Sequence, residues 1–369
     1  MEQKSLQYLL NDIAVVLPSL DPDYKFSGVV EGLLEKGFKN IVIVDDGSDS
    51  GHQAPFNEAE KHPECHVIHH EGNKGKGRAL KTAFAYILDS MPDVKGAVTI
   101  DGDGQHLTDD IIKCVQVMFD NTDKVVLGCR DFDVPGVPPR SIAGNKTTSR
   151  FFKILFGIKL SDTQTGLRAI PRQYLKEFTQ IKGERFEYET NMLLQMHAKG
   201  IEFIEQPIAT VYDPDDYSSH YNAFKDSFKV GKVMLAYLFQ THAVKFALSS
   251  FSAWIVDNGL YYLLCLIMGI GAGAQIIARV VSSFLNFNMN RSYVFRKQGN
   301  YFRDMLKYYC VCIPQTAVSV LILHFVVDAL SVSIPAIALV LKILIELLLF
   351  VISYFIQKKW VFKASNQQE

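Results

Sequence analysis

Residues 96–106 read GAVTIDGDGQH, an apolar run followed at once by two aspartates, two glycines and an amide. Asp and Gly are poor strand formers, and neighbouring carboxylates repel each other unless a cation lies between them. The run Val98–Ile100 therefore predicts a short buried strand that ends at Asp101. Taken alone, the polar segment fits either an Asp-Gly turn or a metal site.

Apolar segments of strand length alternate with segments of helical periodicity before and after this stretch. The predicted strands are Ile13–Leu17, Ile41–Val44, Val67–His69, Val98–Ile100 and Val125–Leu127, and the predicted helices include Phe26–Lys36, Gly75–Ser90 and Ile111–Phe119. This alternation is typical of an α/β protein with a mostly parallel sheet and helices on both faces. Ligands of such sheets bind at the carboxyl ends of strands. The segments DDGS (45–48) and DGDGQH (101–106) both follow strands, so a binding site is expected there.

The net charge of −1 over 369 residues conceals two halves of opposite character. Up to His242 the chain has 27 Lys and Arg against 34 Asp and Glu, and from Ala243 onward it has 11 against 5. The second half is also strongly apolar. We therefore predict an acidic catalytic or binding domain at 1–219, an amphipathic juxtamembrane helix at 220–242 and a basic membrane domain at 243–369. No nucleic-acid partner is expected.

The residues after the strands are suited to a phosphorylated ligand. Asp101 and Asp103 can both turn toward one hard cation, Mg²⁺ or Mn²⁺, and Gln105 can add a neutral oxygen. The carboxylates of the DDGS segment can accept hydrogen bonds from a base or a ribose. The segment GNKGKG (72–77) is similar to a phosphate-binding loop, although a solvated turn before a helix explains it equally well. His66, His69 and His70 lack further ligands at zinc spacing and are predicted to be solvated histidines of a strand.

A set of motifs covering about the first 235 residues resembles family 2 glycosyltransferases of the polyprenyl-phosphate type, which include dolichol-phosphate mannose synthases. The motifs are LPSLDPD (17–23), IVDDGSDSG (43–51), GNKGKGRAL (72–80), DGDGQH (101–106), GCRDF (128–132), SDTQTGLRAI (161–170) and FEYETNMLL (186–194). The resemblance implies a GT-A type, Rossmann-like fold. It also implies metal-dependent, inverting transfer of a sugar from a nucleotide-sugar to a polyprenyl phosphate. The first loop departs from the pattern, because many relatives read Pro-x-Tyr-Asn-Glu where this chain has Pro18-Ser19-Leu20-Asp21-Pro22-Asp23.

The resemblance also assigns roles to individual residues. The implied catalytic residues are Asp103, Asp162, Arg168 and Glu187. The implied nucleotide-sugar contacts are Pro18, Ser19, Asp45, Asp46, Gly47, Lys76, Asp101 and Asp103. The implied acceptor-phosphate contacts are Arg130, Arg140, Arg168 and His220, and the implied metal ligands are Asp101, Asp103 and Gln105. Arginine suits an acceptor phosphate because it binds phosphate through two parallel hydrogen bonds. Each of these charged residues could instead be an ordinary salt-bridge partner.

Four apolar stretches follow, at approximately 244–267, 269–287, 308–330 and 334–357. Each is near the length of about 20 residues that a helix needs to cross a bilayer. The flanking basic residues all fall on one side of this arrangement; they are Arg291, Arg296, Lys297, Arg303, Lys307, Lys358, Lys359 and Lys363. By the positive-inside rule, we expect a multi-pass membrane protein whose catalytic domain and both termini are cytoplasmic.

The apolar half also contains an internal repeat. NMNRSYVF (288–295) matches IQKKWVF (356–362), and Lys245-Phe246 matches Lys307-Tyr308, which predicts two parallel hairpins. This region resembles the GtrA-like family of four-span proteins, which are linked to handling polyprenyl-phosphate sugars. Arg279 and Glu346 fall at equivalent depths of the two repeats. They are expected to form an internal ion pair, to line a polar path for a sugar-phosphate head group, or both.

These observations favour transfer of a sugar from a nucleotide-sugar, with UDP-sugar as the expected donor, to undecaprenyl phosphate at the cytoplasmic face for cell-envelope glycan modification. The membrane domain would bind the product or help translocate it, and a homo-oligomer is possible. One alternative is a lipid-sugar transporter whose first domain senses nucleotide-sugar. Another is a processive polysaccharide synthase, but Trp254 and Trp360 do not lie in the Gln-x-x-Arg-Trp motif typical of that class.

Overall fold

The computed structural model describes residues 2–211, 223–268, 272–329 and 335–363. The chain divides into two compact units, Met1–Tyr237 and Leu238–Glu369. The strands are β1 (Ile13–Ser19), β2 (Asn40–Asp45), β3 (Cys65–His69), β4 (Gly96–Thr99), β5 (Val125–Arg130), β6 (Arg168–Pro171) and β7 (Phe203–Ile208).

Nine α-helices accompany these strands up to the unit boundary within the described residues, besides a 3₁₀ turn at Ser50–His52 and a π-helical turn at Phe152–Phe156. They are α1 (Glu2–Asn11), α2 (Lys25–Lys36), α3 (Ala54–Ala59), α4 (Lys76–Ser90), α5 (Thr108–Asp120), α6 (Pro139–Phe151), α7 (Arg172–Phe178), α8 (Glu187–Ala198) and α9 (Ala223–Gln240). The last of these runs across the boundary between the units.

The described strands form one sheet in the order β3-β2-β1-β4-β6-β5-β7. Pairing is parallel between β1 and β2, β1 and β4, β2 and β3, and β5 and β7, as the sequence predicts for most of the sheet. All five predicted strands are present. The core between the sheet and α2 and α5 is built from alternating apolar residues such as Val15, Ile43, Val98 and Val115.

Strand β6 is the main feature that the sequence did not predict. It inserts between β4 and β5 and runs antiparallel to both, with Arg168 opposite Thr99 in β4 and opposite Leu127 in β5. Because β6 runs in the opposite direction, its first residue lies beside the carboxyl end of β4. The segment that precedes it, 161–167, is therefore delivered to the edge of the sheet where ligands bind.

The helical unit contains α10 (His242–Met268), α11 (Ala272–Met289), α12 (Tyr301–Ala329) and α13 (Pro335–Ile356). Helix α10 packs against α11, and α12 packs against α13. Helices α11 and α13 both end in a π-helical turn, Asn290–Val294 and Gln357–Val361. In the part of the chain that the structure describes, none of the helices has both the length and the apolar composition that crossing a membrane requires.

The residues that match between the two sequence repeats make matching contacts. Lys245 lies over the ring of Tyr293 at 5.6 Å from its centroid, and Lys307 lies over the ring of Trp360 at 5.4 Å. The equivalent residues Phe295 and Phe362 stack on each other with ring centroids 5.1 Å apart.

The equivalent residues Asn290 and Gln357 are also joined, because Asn290 Nδ2 donates to Gln357 Oε1 at 3.2 Å. Each repeat therefore presents the same end to the other, as in a pseudo-two-fold arrangement.

The predicted partner of Arg279 lies outside the described side chains, since nothing is described for Glu346 beyond its place in α13. Arg279 instead forms an ion pair with Asp257 of the same hairpin, with Arg279 Nη2 3.1 Å from Asp257 Oδ2. Asp257 also accepts a hydrogen bond from Ser282 Oγ at 2.9 Å. The charge on Arg279 is thus compensated within its own repeat.

Candidate active site

The carboxyl edge of the sheet borders a cleft of about 930 Å³. Of the predicted site residues, those that line it are Pro18, Ser19, Asp46, Lys76, Asp101, Asp103, Gln105 and Arg130. They come from the ends of β1, β2, β4 and β5 and from the first turn of α4. The mixed sheet therefore gathers into one cleft residues that are far apart in the sequence.

Asp101 is held by a buried cation. Lys76 Nζ lies 2.7 Å from Asp101 Oδ1 and 3.0 Å from Glu189 Oε1, so one ammonium group bridges two carboxylates. Burial disfavours the charged form of Lys76, but Asp101 and Glu189 more than offset this and raise its pKa. Burial likewise disfavours ionised Asp101, and the charge of Lys76 nonetheless lowers its pKa. Both groups are therefore charged at neutral pH.

Gly166 presses directly against this carboxylate. A Cβ atom at Gly166 would lie 2.2 Å from Asp101 Oδ2 and 2.8 Å from its Cγ, so any side chain there would displace the carboxylate. Thr99 Oγ1 donates a hydrogen bond of 2.7 Å to the Gly166 carbonyl and fixes the contact. The sequence motif at 161–170 predicts no role for Gly166, because only the antiparallel β6 brings it beside Asp101.

The rest of the DGDGQH segment forms a tight turn at the cleft. The Gln105 amide donates to Asp103 Oδ1 at 3.0 Å, and the Asp101 amide donates to His106 Nδ1 at 3.1 Å. Burial lowers the pKa of His106, which agrees with a neutral ring that accepts through Nδ1. Burial and the negative charge of Asp101 raise the pKa of Asp103. This repulsion is what a cation bound between the two carboxylates would relieve, so their oxygens and that of Gln105 suit a hard divalent ion.

The DDGS aspartates organise the loops around the cleft. Asp46 accepts hydrogen bonds from the amides of Lys74 and Gly75, at 3.0 and 2.7 Å, and lies 2.8 Å from His70 Nδ1. Asp46 thereby ties the end of β2 to the loop that precedes α4. The prediction of solvated histidines is wrong for His70, whose side chain is buried against this carboxylate.

Asp45 and Gly47 are placed away from the cleft lining. Asp45 accepts from the Ser48 amide at 2.8 Å and lies 2.8 Å from His69 Nδ1. Burial opposes its charge, but the hydrogen bonds from Ser48 and His69 keep its pKa below the usual value. Gly47 has a φ of +83° and packs on the Gly72 backbone, 2.3 Å from where a Cβ would stand.

Arg130 and Asp162 form a partly buried pair. Arg130 Nε donates to Asp162 Oδ2 at 2.8 Å and Arg130 Nη2 donates to Oδ1 at 3.3 Å, while Asp162 is fully buried. Asp162 Oδ1 also accepts from the Gln164 amide at 3.0 Å. Both Asp162 oxygens are therefore occupied, and the structure places Asp162 as the group that positions Arg130 in the cleft lining.

Arg168 and Glu187 do not line the cleft as the structure describes it. Arg168 is 1% exposed, and it donates to the carbonyls of Thr165 and Glu189 at 3.1 Å each. Glu187 Oε1 accepts from the amides of Glu184 and Arg185 at 3.1 and 3.3 Å. Arg168 Nη2 and Glu187 Oε2 have no hydrogen-bond partner among the described residues, and the catalytic and acceptor roles of these two residues stay predictions.

Two further predicted acceptor contacts, Arg140 and His220, have side chains outside the described residues. Arg140 lies in the first turn of α6, but its side chain is outside the described residues, as is all of His220.

Sequence reasoning missed several residues of the site. Arg185, which comes just before α8, was missed, and the only signal was its position next to the motif at 186–194. Glu189 was expected near the acceptor from that motif, and the structure places it against Lys76. Asp21, Asp49 and His52 bring their ligand atoms within 4.8 Å of one another, a group of metal-binding residue types next to the first loop.

Two parts of the chain match known family models. Residues 28–179 match the model of Glycosyl transferase family 2, and residues 245–362 match that of the GtrA/DPMS transmembrane domain. A UDP-N-acetylglucosamine–dolichyl-phosphate N-acetylglucosaminyltransferase of Methanococcus voltae is 30% identical over 217 residues, which cover 54% of this chain and 86% of the relative. A polyprenol monophosphomannose synthase of Mycolicibacterium smegmatis is 26% identical, over 46% of this chain and 65% of that protein.

A solved structure of glucosyl-3-phosphoglycerate synthase from Mycobacterium tuberculosis, in complex with Mn²⁺, UDP and phosphoglyceric acid, aligns with a TM-score of 0.49 at 16% identity. It covers 64% of this chain and 81% of that one, and a likeness at this level carries no conclusion about the site. The family assignment rests on the sequence matches. This chain is a member of glycosyltransferase family 2, joined to a region that matches the GtrA/DPMS transmembrane domain.

Proposed function

We propose that the cleft binds a nucleotide-sugar, with UDP-sugar as the donor, and that the protein transfers the sugar to undecaprenyl phosphate. The observation that carries the proposal is the convergence of Asp101, Asp103, Lys76 and Arg130 on one cleft at the carboxyl edge of the sheet. The names of the two relatives support the acceptor class, since one is a dolichyl-phosphate N-acetylglucosaminyltransferase and the other a polyprenol monophosphomannose synthase.

The donor is proposed to lie along the ends of β1, β2 and β4. Pro18, Ser19 and Asp46 line the cleft beside the loop that Asp46 fixes, which suits the nucleoside. Asp45 and Gly47 fix the conformation of the DDGS turn through a hydrogen bond from Ser48 and close packing on Gly72. The diphosphate would then reach Asp101, Asp103 and Gln105, which would hold Mg²⁺ or Mn²⁺. That ion would neutralise the negative charge that develops on the departing nucleoside diphosphate.

Transfer requires one bond to form and one to break at the anomeric carbon. An oxygen of the acceptor phosphate attacks this carbon from the face opposite the diphosphate, and the bond to the diphosphate oxygen breaks with its electron pair. The configuration at the carbon is thereby inverted. The acceptor phosphate is already largely an anion near pH 7, with a second pKa of about 6, so no strong base is needed. Positioning and compensation of charge therefore account for most of the rate enhancement.

Different residues of the chain are proposed to bind the acceptor phosphate, to position Asp101 and to hold the surrounding loops. Arg130, held by Asp162, presents a fixed guanidinium to the cleft, which suits the acceptor phosphate. Lys76 keeps Asp101 ionised and in place. Arg168 hydrogen-bonds to the backbone at Thr165, and Glu187 hydrogen-bonds to the backbone at Glu184. Arg140 and His220 stay predicted acceptor contacts.

The helical unit is proposed to be a multi-pass membrane domain that keeps the catalytic unit and both termini at the cytoplasmic face. The match to the GtrA/DPMS transmembrane domain and the basic residues at one side of the apolar stretches support this placement. The domain would bind the lipid-linked product or help to move it across the bilayer.

The direct test supplies membranes containing the full-length protein with undecaprenyl phosphate and a set of nucleotide-sugars. Thin-layer analysis should reveal a lipid-linked sugar with one of the UDP-sugars, and excess EDTA should abolish it. Asp101→Asn and Asp103→Asn should each lower the rate by about 10²-fold or more, the scale of losing one electrostatic contact to developing charge.

Asp120→Asn is the matched control, because Asp120 is an exposed residue at the end of α5, and it should keep full activity. Absence of any lipid product with every common nucleotide-sugar would exclude the transferase proposal. If the protein binds nucleotide-sugar but forms no lipid product, the result would instead favour a transporter whose first domain senses nucleotide-sugar.

A further inference from the structure

Four of the residues that line the cleft are basic: Lys25, Lys76, Arg130 and Arg185. The first three are already engaged by the protein. Lys76 bridges Asp101 and Glu189, Arg130 is paired with the buried Asp162, and Lys25 lies over the ring of Tyr24 at 5.9 Å. Arg185, by contrast, is exposed on the cleft wall, and no carboxylate of the described residues is paired with it.

The segment that carries Arg185 is fixed against the start of α4. A Cβ at Gly75 would lie 2.4 Å from the Glu184 carbonyl oxygen and 2.6 Å from Arg185 Cγ, so only glycine permits this approach. The Arg78 amide donates to the same Glu184 carbonyl at 3.0 Å. The base of the Arg185 side chain is therefore packed on the turn that leads into Lys76.

Among the described residues, the carboxylates next to Arg185 in the sequence are engaged by other groups. Glu184 binds Arg78 through Nε at 2.7 Å and Lys81 through Nζ at 3.1 Å, so its carboxylate is engaged on the side of α4. Glu187 accepts from the Arg185 amide and holds the backbone of this segment. The stem of Arg185 is thus held against the turn at Gly75, and the exposed residue lines the cleft, an arrangement suited to binding an anion.

The turn at Gly75 also locates the anion. The Gly75 amide donates to Asp46 at the nucleotide end of the cleft, and the next residue, Lys76, contacts Asp101 at the other end. Arg185 packs between these two points. A donor that spans from Asp46 to Asp101 would place its diphosphate along this wall.

We infer that Arg185 binds the diphosphate of the nucleotide-sugar, as a donor-binding residue of the cleft. This inference rests on the proposed function for the identity of the donor. The planar guanidinium would form two parallel hydrogen bonds to phosphate oxygens, which a lysine reproduces only in part. The diphosphate that Arg185 contacts departs as part of the nucleoside diphosphate, so Arg185 also stabilises the leaving group.

The test uses the purified full-length protein and its Arg185→Gln and Arg185→Lys variants. Isothermal titration with UDP and Mg²⁺, without acceptor, should reveal a dissociation constant raised about ten- to a hundredfold by Arg185→Gln, as expected for a charge-assisted contact. Arg185→Lys should recover part of that loss. In the transfer assay the KM for the UDP-sugar should rise, and the KM for undecaprenyl phosphate should change little.

Lys182→Gln is the matched control, because Lys182 is an exposed cation of the same segment that does not line the cleft. Unchanged UDP binding in Arg185→Gln would overturn the inference, and so would a rise confined to the acceptor KM. If the wild-type protein forms no lipid product, the proposed function fails. The titration with UDP would still decide the role of Arg185.

Discussion

The two units both bury polar side chains, but they pair them for different purposes. In the first unit, Lys76, Asp101 and Glu189 meet at the wall of an open cleft, where a ligand or a cation can redistribute their contacts. In the helical unit, Asn290 and Gln357 are 0% and 2% exposed and bond to each other between two helix ends. Charge beside a cleft serves binding, whereas a sealed polar pair fixes the geometry of the backbone around it.

The contrast also appears in how each unit uses repetition. The first unit gathers single residues from several strands, so each of its contacts is made once. The helical unit makes its contacts twice, as in the two cation–ring pairs of Lys245 with Tyr293 and Lys307 with Trp360. A change in the first unit is therefore expected to affect chemistry, and a change at the helix ends is expected to affect stability.

The largest effect that would test this contrast is expected for Gly166→Ala. The new methyl group would meet Asp101 Oδ2 at 2.2 Å and displace the carboxylate from its position. Misplacement of a catalytic group by about 1 Å can cost about 10²-fold, so sugar transfer should fall by at least that factor. The decrease is measured as the rate at which the lipid-linked sugar forms.

Gly144→Ala in α6 is the control for that substitution, since a Cβ there meets no atom within 4 Å. It should leave transfer unchanged. Wild-type activity in Gly166→Ala would mean that Asp101 need not be held where the structure has it.

A smaller effect, on stability as well as on the positioning of Arg130, is expected for Asp162→Ala. This change leaves Arg130 without its buried partner, and removing one member of a buried pair costs about 3 kcal/mol or more. Because the Arg130 side chain retains some exposure, the lower end of that scale is expected. Hydrogen exchange of the amides in β5 and β6 would report the loss.

Asp133→Ala provides the surface comparison, because its pair with Lys146 is exposed on both sides. Exchange rates in β5 and β6 should be unaffected by it, as for most surface ion pairs. Equal protection in the two variants would contradict the positioning role given to Asp162.

The smallest effect is expected at the junction of the two hairpins. In a double-mutant cycle of Asn290→Leu and Gln357→Leu, the coupling should be about 0.5–1.5 kcal/mol, the net value of one hydrogen bond. Thermal unfolding of the full chain in detergent provides the measurement. The hydrogen bond of 3.2 Å between these side chains is the physical reason.

Pairing Asn258→Leu with Gln357→Leu should give additive effects, because Asn258 is exposed and bonds to Trp254 of its own helix. If the Asn290 and Gln357 changes were also additive, the two repeats would not meet at these residues.

Local sequence patterns predicted much of the first unit. Short apolar runs closed by polar residues located β1 to β5, and the polar residues after β2 and β4 fell beside one cleft, as expected for parallel strands. The family resemblance is confirmed by the matched family models and relatives. These predictions succeeded because strand periodicity and turn chemistry depend on residues that are close in the chain.

The roles of individual charged residues were harder to predict. A charged side chain has the same appearance in the sequence whether it faces a ligand or a buried partner, and Asp162 and Arg168 both proved to be buried. Arg279 was expected to meet Glu346, whose side chain lies outside the described residues, and the structure shows a further partner, Asp257, that was not foreseen. Residue type states which chemistry is available, and only the neighbours determine how it is used.

The sequence by itself determined the alternation of strands and helices, the position of the polar motifs at strand ends and the membership of glycosyltransferase family 2. The tertiary structure alone decided that Gly166 supports Asp101, that Asp162 holds Arg130 and that Arg185 faces the cleft. The first two contacts depend on β6, a four-residue strand whose antiparallel insertion brings distant segments together. Local propensity cannot specify such a pairing, because strand direction is set by packing between segments far apart in the chain.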